Sequence, residues 1–279
     1  VRIKKILYYI SIIKGGNTFM KIKEYKNGVF CYSELSTVEY ENSKEFYKNI
    51  FDWNIKENNE FLEYTVFCKN DNILLGMYDS DDEQLEIDFS NTWTPFISVT
   101  DIEKTIERVV KNGGECLQES FEADNYGKAA IIKDPTGALI SLWQANEYIG
   151  SELQREENTM SWCELYTTDI KTASEFYKKV FLWKAEPFKI ENELYMNFKK
   201  GSSYVAGMRE IEKEIGIKKS IWVMYIEVEN CKKIYKKALK LGAKKVQDPM
   251  VNKENLGFVE TAILRDISGA IFAIGQKLY

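Results

Sequence analysis

Glu34-Leu35-Ser36-Thr37, followed by Glu45-Phe46-Tyr47-Lys48, Phe51 and Trp53, is the stretch on which the reading of this chain turns. The same residues return as Glu164-Leu165-Tyr166-Thr167, Glu175-Phe176-Tyr177-Lys178, Phe181 and Trp183, all displaced by 130 positions, with nine identities in a window of 23. Later landmarks keep the order: Gly76-Met77 with Gly207-Met208, Trp93 with Trp222, Gly113 with Gly242, Asp134 with Asp266, and Gln144 with Gln276. Matches in one order at nearly constant spacing mark an internal duplication. The polar stretch Asn146–Asn158, carrying Gly150-Ser151, reads as the connection between copies.

Each copy divides again. Val29–Thr37 is rich in β-branched and aromatic residues and is expected as a strand, while Glu41–Phe51 places Ser43, Phe46, Tyr47 and Ile50 on one helical face. Strands over Leu62–Cys68 and Ile73–Tyr78 follow, joined by the turn Lys69-Asn70-Asp71-Asn72. The order then repeats with strand Trp93–Thr100 and a helix whose apolar face is Ile102, Ile106, Val109 and Val110, stopped at Gly113-Gly114. Strands Lys128–Lys133 and Ala138–Gln144 flank the turn Asp134-Pro135-Thr136-Gly137.

Bulk properties narrow the function. At 279 residues and 44% hydrophobic, the chain can fill a core in each half. A net charge of −5, with Lys and Glu interleaved rather than in blocks, provides no footprint for nucleic acid. The five cysteines are odd in number, far apart and never in a C-x-x-C pair, which argues against a disulfide framework or zinc site and for the reducing cytoplasm. The apolar run Ile6–Ile13 is too short for a bilayer, which takes about 20 residues, so no membrane partner is expected. Lys14-Gly15-Gly16 can be encoded as a purine-rich ribosome-binding sequence just before Met20. Residues 1–19 are therefore either an upstream-translated, non-native extension or a genuine segment that packs on the protein. The remaining boundaries are 20–148 for the first domain, 149–158 for the linker and 159–279 for the second domain.

A strand ending in E-L-x-T-x-(D/E), a following F-Y-x-x-(I/V)-F-x-W, a W-x-x-(Y/F)-I-x-V strand, a Gly-capped helix and D-P-x-G-A with a closing W-Q resemble the vicinal oxygen chelate superfamily. The resemblance is to its tandem glyoxalase/bleomycin-resistance-like proteins and covers Gly28–Gln276. It implies an α+β fold of four βαβββ modules, forming two domains with curved, cup-shaped mixed sheets. It also implies divalent-metal ligands at defined places, which here are Tyr32, Trp162, Thr94, Val223, Ser141 and Ala273. None is a His or carboxylate, and the chain has no histidine at all, so the commonest nitrogen ligand is missing. No metal and no cofactor are expected.

Strand parity separates two faces. Leu35, Ile97, Val99, Leu165, Ile226 and Val228, with Ile140, Leu142, Phe272 and Ile274, form an apolar face expected under the helices, together with Cys163. The opposite face is concave in this fold and supplies the candidate ligand-binding residues Tyr32, Glu34, Thr94, Phe96, Ser141, Trp143, Trp162, Glu164, Tyr166 and Tyr225. Its flat rings could stack on a planar guest. Glu34 and Glu164 are the candidate general bases, because a carboxylate desolvated in a cup can be raised in pKa. The plainer alternative is that each accepts a hydrogen bond from a neighbouring strand or pairs with a Lys at the rim. Trp53 and Trp183 are expected as core plugs, and the Asp-Pro-Thr-Gly turn as structural. With Tyr32 smaller than Trp162, the first cup is expected to be the more open.

Three functions compete. The first is a metal-free protein binding a small hydrophobic or aromatic molecule, as the resemblance to drug-sequestering members implies. The second is a metal-independent isomerase or lyase using Glu34 or Glu164, and the third is a protein-interaction module with filled cups. The ligand, the pairing of modules and the oligomeric state, a homodimer included, stay open. Elemental analysis of the purified, untagged chain is expected to find no stoichiometric zinc, nickel, iron or manganese; near-unit occupancy that survives a chelator and shifts the melting point would contradict the ligand argument.

Overall fold

The computed structural model describes residues 21–57, 64–80, 90–190, 193–212, 215–252 and 257–277. The segment 1–19, whose origin the sequence left in two alternatives, lies outside them. The first half runs β1 (Val29–Thr37), α1 (Tyr40–Phe51), β2 (Asn54–Glu57), β3 (Tyr64–Lys69), β4 (Asn72–Asp79), β5 (Thr92–Ser98), α2 (Ile102–Lys111), β6 (Glu115–Ala123), β7 (Gly127–Lys133) and β8 (Leu139–Ala145). The second runs β9 (Met160–Thr167), α3 (Ile170–Phe181), β10 (Lys184–Ile190), β11 (Glu193–Lys200), β12 (Ser203–Glu210), β13 (Ile221–Val228), α4 (Cys231–Lys240), β14 (Lys244–Val251), β15 (Glu260–Arg265) and β16 (Ile271–Gln276). No helix among the described residues is long and apolar enough to cross a membrane.

Each half forms one eight-stranded sheet, in the orders β2-β3-β4-β1-β5-β8-β7-β6 and β10-β11-β12-β9-β13-β16-β15-β14. Modules one and two therefore share a sheet, as do three and four. At each centre the first strands of two modules run antiparallel, β1 with β5 and β9 with β13, and each is flanked in parallel by the last strand of its own module. The strands β2, β6, β10 and β14 were not located from the sequence. They are the outermost strands of the sheets, where one backbone edge is unpaired and side chains meet water. β6 shows why: it is largely exposed, rich in Glu, and twice bulged against β7, which erases the period-two signal.

Side chains at three of the four helix starts fix the chain locally. Asp101, Asp169 and Asn230 each accept a hydrogen bond from the backbone N–H three residues on. The second helix of each half ends at a left-handed glycine, Gly113 (φ 85°) and Gly242 (φ 99°).

Separate cores in the two halves are the expectation from length, but the halves share one central core. The helices of both sheets face inward, α1 against α4 and α2 against α3, so the helix pairs join first half to second. Leu35, Ile97, Val99, Ile140, Leu142, Cys163, Leu165, Ile226, Val228, Phe272 and Ile274 all lie in this core with Trp53 and Trp183, as parity required. Phe46 meets Phe272 at 6.0 Å between ring centroids, and Phe30 meets Trp222 at 5.0 Å. The polar groups buried here also cross. Tyr47 donates to Asp266 Oδ2 (2.8 Å) and accepts from Trp93 Nε1 (2.8 Å); reciprocally, Tyr177 donates to Asp134 Oδ2 (2.7 Å) and accepts from Trp222 Nε1 (2.9 Å). The other oxygen of each Asp holds its own turn, Asp134 Oδ1 accepting from the amides of Thr136 and Ala138, and Asp266 Oδ1 from those of Ser268, Gly269 and Ala270.

Tyr47→Phe would leave both a carboxylate oxygen and an indole N–H unpaired in the core, and is expected to cost about 2–4 kcal/mol, read from the urea midpoint at constant m-value. Tyr177→Phe should match it. A loss below about 0.5 kcal/mol for both would show that these bonds do not hold the halves together.

Candidate functional site

The outer, concave faces of the sheets carry a second layer of side chains separate from the central core. In the first cup Tyr32, Phe96 and Trp143 cluster with Tyr64 and Tyr148, and in the second Tyr166, Val223 and Tyr225 cluster with Phe258 and Trp162. The candidate side chains from the sequence thus lie on the face opposite the central core. What the sequence misjudged is which cup is open.

Among the described residues, the first cup is filled. Tyr32 is only 2% exposed, and Phe96, Trp143, Thr94 and Ser141 are buried with it. Tyr32 packs edge-on against Phe96 and against Tyr148, both at 5.7 Å. Tyr148 comes from the connecting stretch, which is not a free tether. Trp143 Nε1 donates to the Tyr148 carbonyl (2.8 Å), Ser151 N to Cys31 O (2.8 Å) and Glu152 N to Ile73 O (2.7 Å). Gly150 (φ 109°) lies so close to Cys31 that a Cβ there would sit 2.4 Å from its carbonyl oxygen. The expectation that Tyr32 leaves the roomier cup is therefore corrected: the space beside its smaller ring is taken by a tyrosine from outside the repeat.

The second cup is open beside Trp162. A narrow cleft of about 40 Å³ is lined by Trp162, Glu164, Tyr166, Tyr195, Arg209, Tyr225 and Phe258 among others. Adjoining it through Trp162 and Phe258 is a cavity of about 590 Å³ at the lip, bounded also by Arg155, Ser161, Phe188, Asn197, Tyr204 and Lys277. The larger volume is the size of a small-molecule pocket, whereas the cleft holds no more than a water or a single substituent. Tyr225 stacks on Phe258 (5.9 Å, 13° between planes), and its hydroxyl meets that of Tyr166 at 3.2 Å.

Each cup contains the same Tyr–Glu pair. Tyr64 donates to Glu34 Oε1 at 2.7 Å, and Tyr195 to Glu164 Oε2 at 2.8 Å. The tyrosine stands on β3 or β11 and reaches over β4 or β12 to the glutamate on β1 or β9. This path needs a glycine in the strand crossed, since a Cβ at Gly76 would lie 2.2 Å from the Tyr64 hydroxyl and one at Gly207 would lie 1.7 Å from that of Tyr195. The repeated Gly-Met pair, seen in the sequence only as a landmark, is thus the floor under the hydroxyl. Both glutamates accept a tyrosine hydrogen bond, as the plainer alternative for them supposed, but from the next strand but one rather than the neighbouring strand.

Their charged neighbours differ. No cation faces Glu34 in the described contacts, and burial pushes its carboxyl up to about 7, against the opposing Tyr64 hydrogen bond. Beside Glu164 stands Arg209, with Nε at 3.7 Å from Oε1, and its guanidinium also pairs with Glu212 at 3.4 Å. Burial opposes the Arg209 charge, but Glu164 and the surrounding groups outweigh it and raise its pKa. Its Nε makes no hydrogen bond. Arg209, Tyr195, Phe258, Arg155 and Lys277 were not among the sequence candidates. Arg209 could have been found by comparing the repeats, because its counterpart two residues past the Gly76 landmark is Tyr78.

Comparison with known proteins supplies a context for this geometry. Residues 32–142 match the family model described as Glyoxalase/Bleomycin resistance protein/Dioxygenase superfamily. A Mycobacterium tuberculosis protein provisionally named glyoxylase CFP32 is 28% identical over 91% of this chain and 97% of its own length. The anthracycline biosynthesis protein DauV of Streptomyces sp. is 25% identical over 65% of this chain and 64% of its own. Among solved structures, 2,2',3-trihydroxybiphenyl 1,2-dioxygenase from Sphingomonas wittichii aligns with TM-score 0.63 at 9% identity, over 90% of this chain and 91% of that one. The Mn(II)-bound glyoxalase from Novosphingobium aromaticivorans aligns with TM-score 0.60 at 10% identity, over 91% and 83%. These two likenesses concern the fold.

The donor set here does not fit a divalent metal. Tyr32 hydrogen-bonds Tyr64 at 3.3 Å, Val223 and Ala273 have no donor side chain, and Glu34 and Glu164 are each already held by a tyrosine. Among the described residues no three His, Cys, Asp or Glu side chains converge. No catalytic step is derived through a metal.

The raised Glu34 pKa has a defined sign. Because the folded value of about 7 exceeds the unfolded 4.5, the contribution of Glu34 to stability is present below pH 4.5 and lost as pH rises to about 7. Glu34→Gln keeps an acceptor for Tyr64 and cannot ionise. Relative to that variant, the wild-type chain is expected to lose on the order of 3 kcal/mol of unfolding free energy between about pH 4 and 8. A difference independent of pH would show that Glu34 ionises as an ordinary glutamate.

Proposed function

Since the chain belongs to the Glyoxalase/Bleomycin resistance protein/Dioxygenase superfamily, a fold that hosts many chemistries, we infer its function from its open cup: it binds a small hydrophobic or aromatic molecule there, without a metal. The observation that carries this reading is the cavity of about 590 Å³ walled by Trp162, Phe188, Tyr204 and Phe258 and floored by the cleft to Glu164 and Arg209. Flat rings on both sides favour a planar guest. A hydroxyl or carbonyl on that guest can enter the cleft, where Arg209 Nε has no hydrogen-bond partner. The names of the Streptomyces relatives, proteins of anthracycline biosynthesis, support a planar class of guest. A cytoplasmic setting belongs to the same reading, supported by five cysteines that are all free thiols.

The metal-independent enzyme is less well supported. Glu34, the carboxylate with the raised pKa, is buried in the cluster of Tyr32, Tyr64, Phe96, Trp143 and Tyr148. Glu164 faces the open cup, but its oxygens are already engaged by Tyr195 and Arg209.

Titration with phenylnaphthylamine, an uncharged fluorescent aromatic, is expected to give one saturable site per chain. Phe258→Ala or Trp162→Ala should weaken that binding by about fivefold or more, the loss of one aromatic contact. Tyr148→Phe, in the filled cup, should leave it unchanged. Lack of saturable binding, or loss of it only with substitutions in the first cup, would overturn the assignment.

A further inference from the structure

We propose that the lip of the second cup is an anion subsite, where Arg155 and Lys277 hold an acidic substituent of the same aromatic guest whose rings lie on Trp162 and Phe258. The inference rests on the binding reading above and adds the ligand's charge and orientation to it.

The two cations reach one cavity from separate parts of the chain, Arg155 from the segment joining the halves and Lys277 from just beyond β16. Arg155 sits at φ 62°, a left-handed backbone that a non-glycine residue seldom adopts. Its amide donates to Met160 O (3.0 Å), and one guanidinium nitrogen donates to Tyr204 O (3.2 Å). Most of the five-donor guanidinium is thereby left for a carboxylate or sulfonate, which it matches in geometry. Lys277 pairs with Glu227 and lies 5.8 Å from the centre of the Phe258 ring. Glu227 is wholly buried and also accepts from Ser161 Oγ at 2.7 Å, so the lip carries one enclosed carboxylate, paired with Lys277, and a second cation in Arg155. At the inner end the balance is reversed, with Arg209 set against Glu164 and Glu212. An acidic group is therefore favoured at the lip and disfavoured in the cleft, which orients the guest.

The duplication supplies an internal control. At the corresponding places of the first cup, Arg155 is replaced by Tyr25, Ser161 by Cys31 and Lys277 by Ala145. Arg155, Ser161 and Lys277 thus have no like counterpart in the other cup. A pair of cations needed only for folding would have no reason to follow the open cavity.

The test compares two dyes on the full chain: anilinonaphthalene sulfonate, which carries the acidic group, and uncharged phenylnaphthylamine. The sulfonate is expected to bind about tenfold more tightly, the gain from one charge-assisted contact, and only its affinity should fall with added salt. Arg155→Gln should abolish the preference, bringing the two affinities together, whereas Arg155→Lys should keep part of it. Lys277→Gln should reduce it, with circular dichroism confirming that the fold survives. Equal affinities in the wild-type chain, or a preference that persists in both Gln variants, would overturn the anion subsite while leaving the aromatic site standing. Failure of both dyes to bind would overturn the two proposals together.

Discussion

Two buried aspartates hold this molecule in its arrangement. Asp134 and Asp266 each commit one oxygen to the turn they begin and send the other across to a tyrosine of the opposite half. A carboxylate in an apolar core is tolerated only when its lone pairs are met, so each turn is complete only when the other half is docked. The tryptophans follow the same rule, Trp53 Nε1 donating to Asn158 O and Trp183 Nε1 to Gly28 O, both at 2.7 Å. The duplicated halves are thus cross-wired, and their convex faces are spent on one another.

The concave faces began from one template and have diverged by a few side chains. Glycine under tyrosine under glutamate is common to both. Around it, Tyr32, Tyr78 and Trp143 of the first cup stand where the second has Trp162, Arg209 and Gly275. The loss of a Trp at position 275 makes room that Phe258 only partly fills, its ring lying 2.6 Å from where a Cβ on Gly275 would be. In the first cup the corresponding Trp143 is present and Tyr148 is folded over it. One cup has become a small satellite core and the other a cavity, and the difference in volume outweighs the difference between Tyr and Trp at the base.

Electrostatics diverged with the packing. A buried glutamate without a cation is held toward its neutral form, so Glu34 with Tyr64 is closer to a neutral hydrogen-bonded pair at low pH and is strained as pH rises. Beside Glu164, next to the open cleft, stands the opposite charge of Arg209. The same two residue types therefore contribute packing in one cup and a polar floor in the other.

The sequence by itself determined the duplication, the concave and convex faces and the positions of the central strands. Repeated identities and alternation are local signals that survive whatever the halves do to each other. Leu35, Ile97 and Phe272 could be assigned to the core, and Tyr32 and Trp162 to a cup, because in a strand the side-chain period alone decides the face. Only the tertiary structure decided that the two halves share one core, that a tyrosine from the connecting stretch closes the first cup, and that Arg155, Arg209 and Lys277 meet at the second. Those outcomes depend on contacts between residues far apart in the chain, such as Tyr47 with Asp266 or Lys277 with Glu227, and no local periodicity records them. Which of two similar cups stays open is a matter of volume filled from a distance, and that is a property of the folded chain.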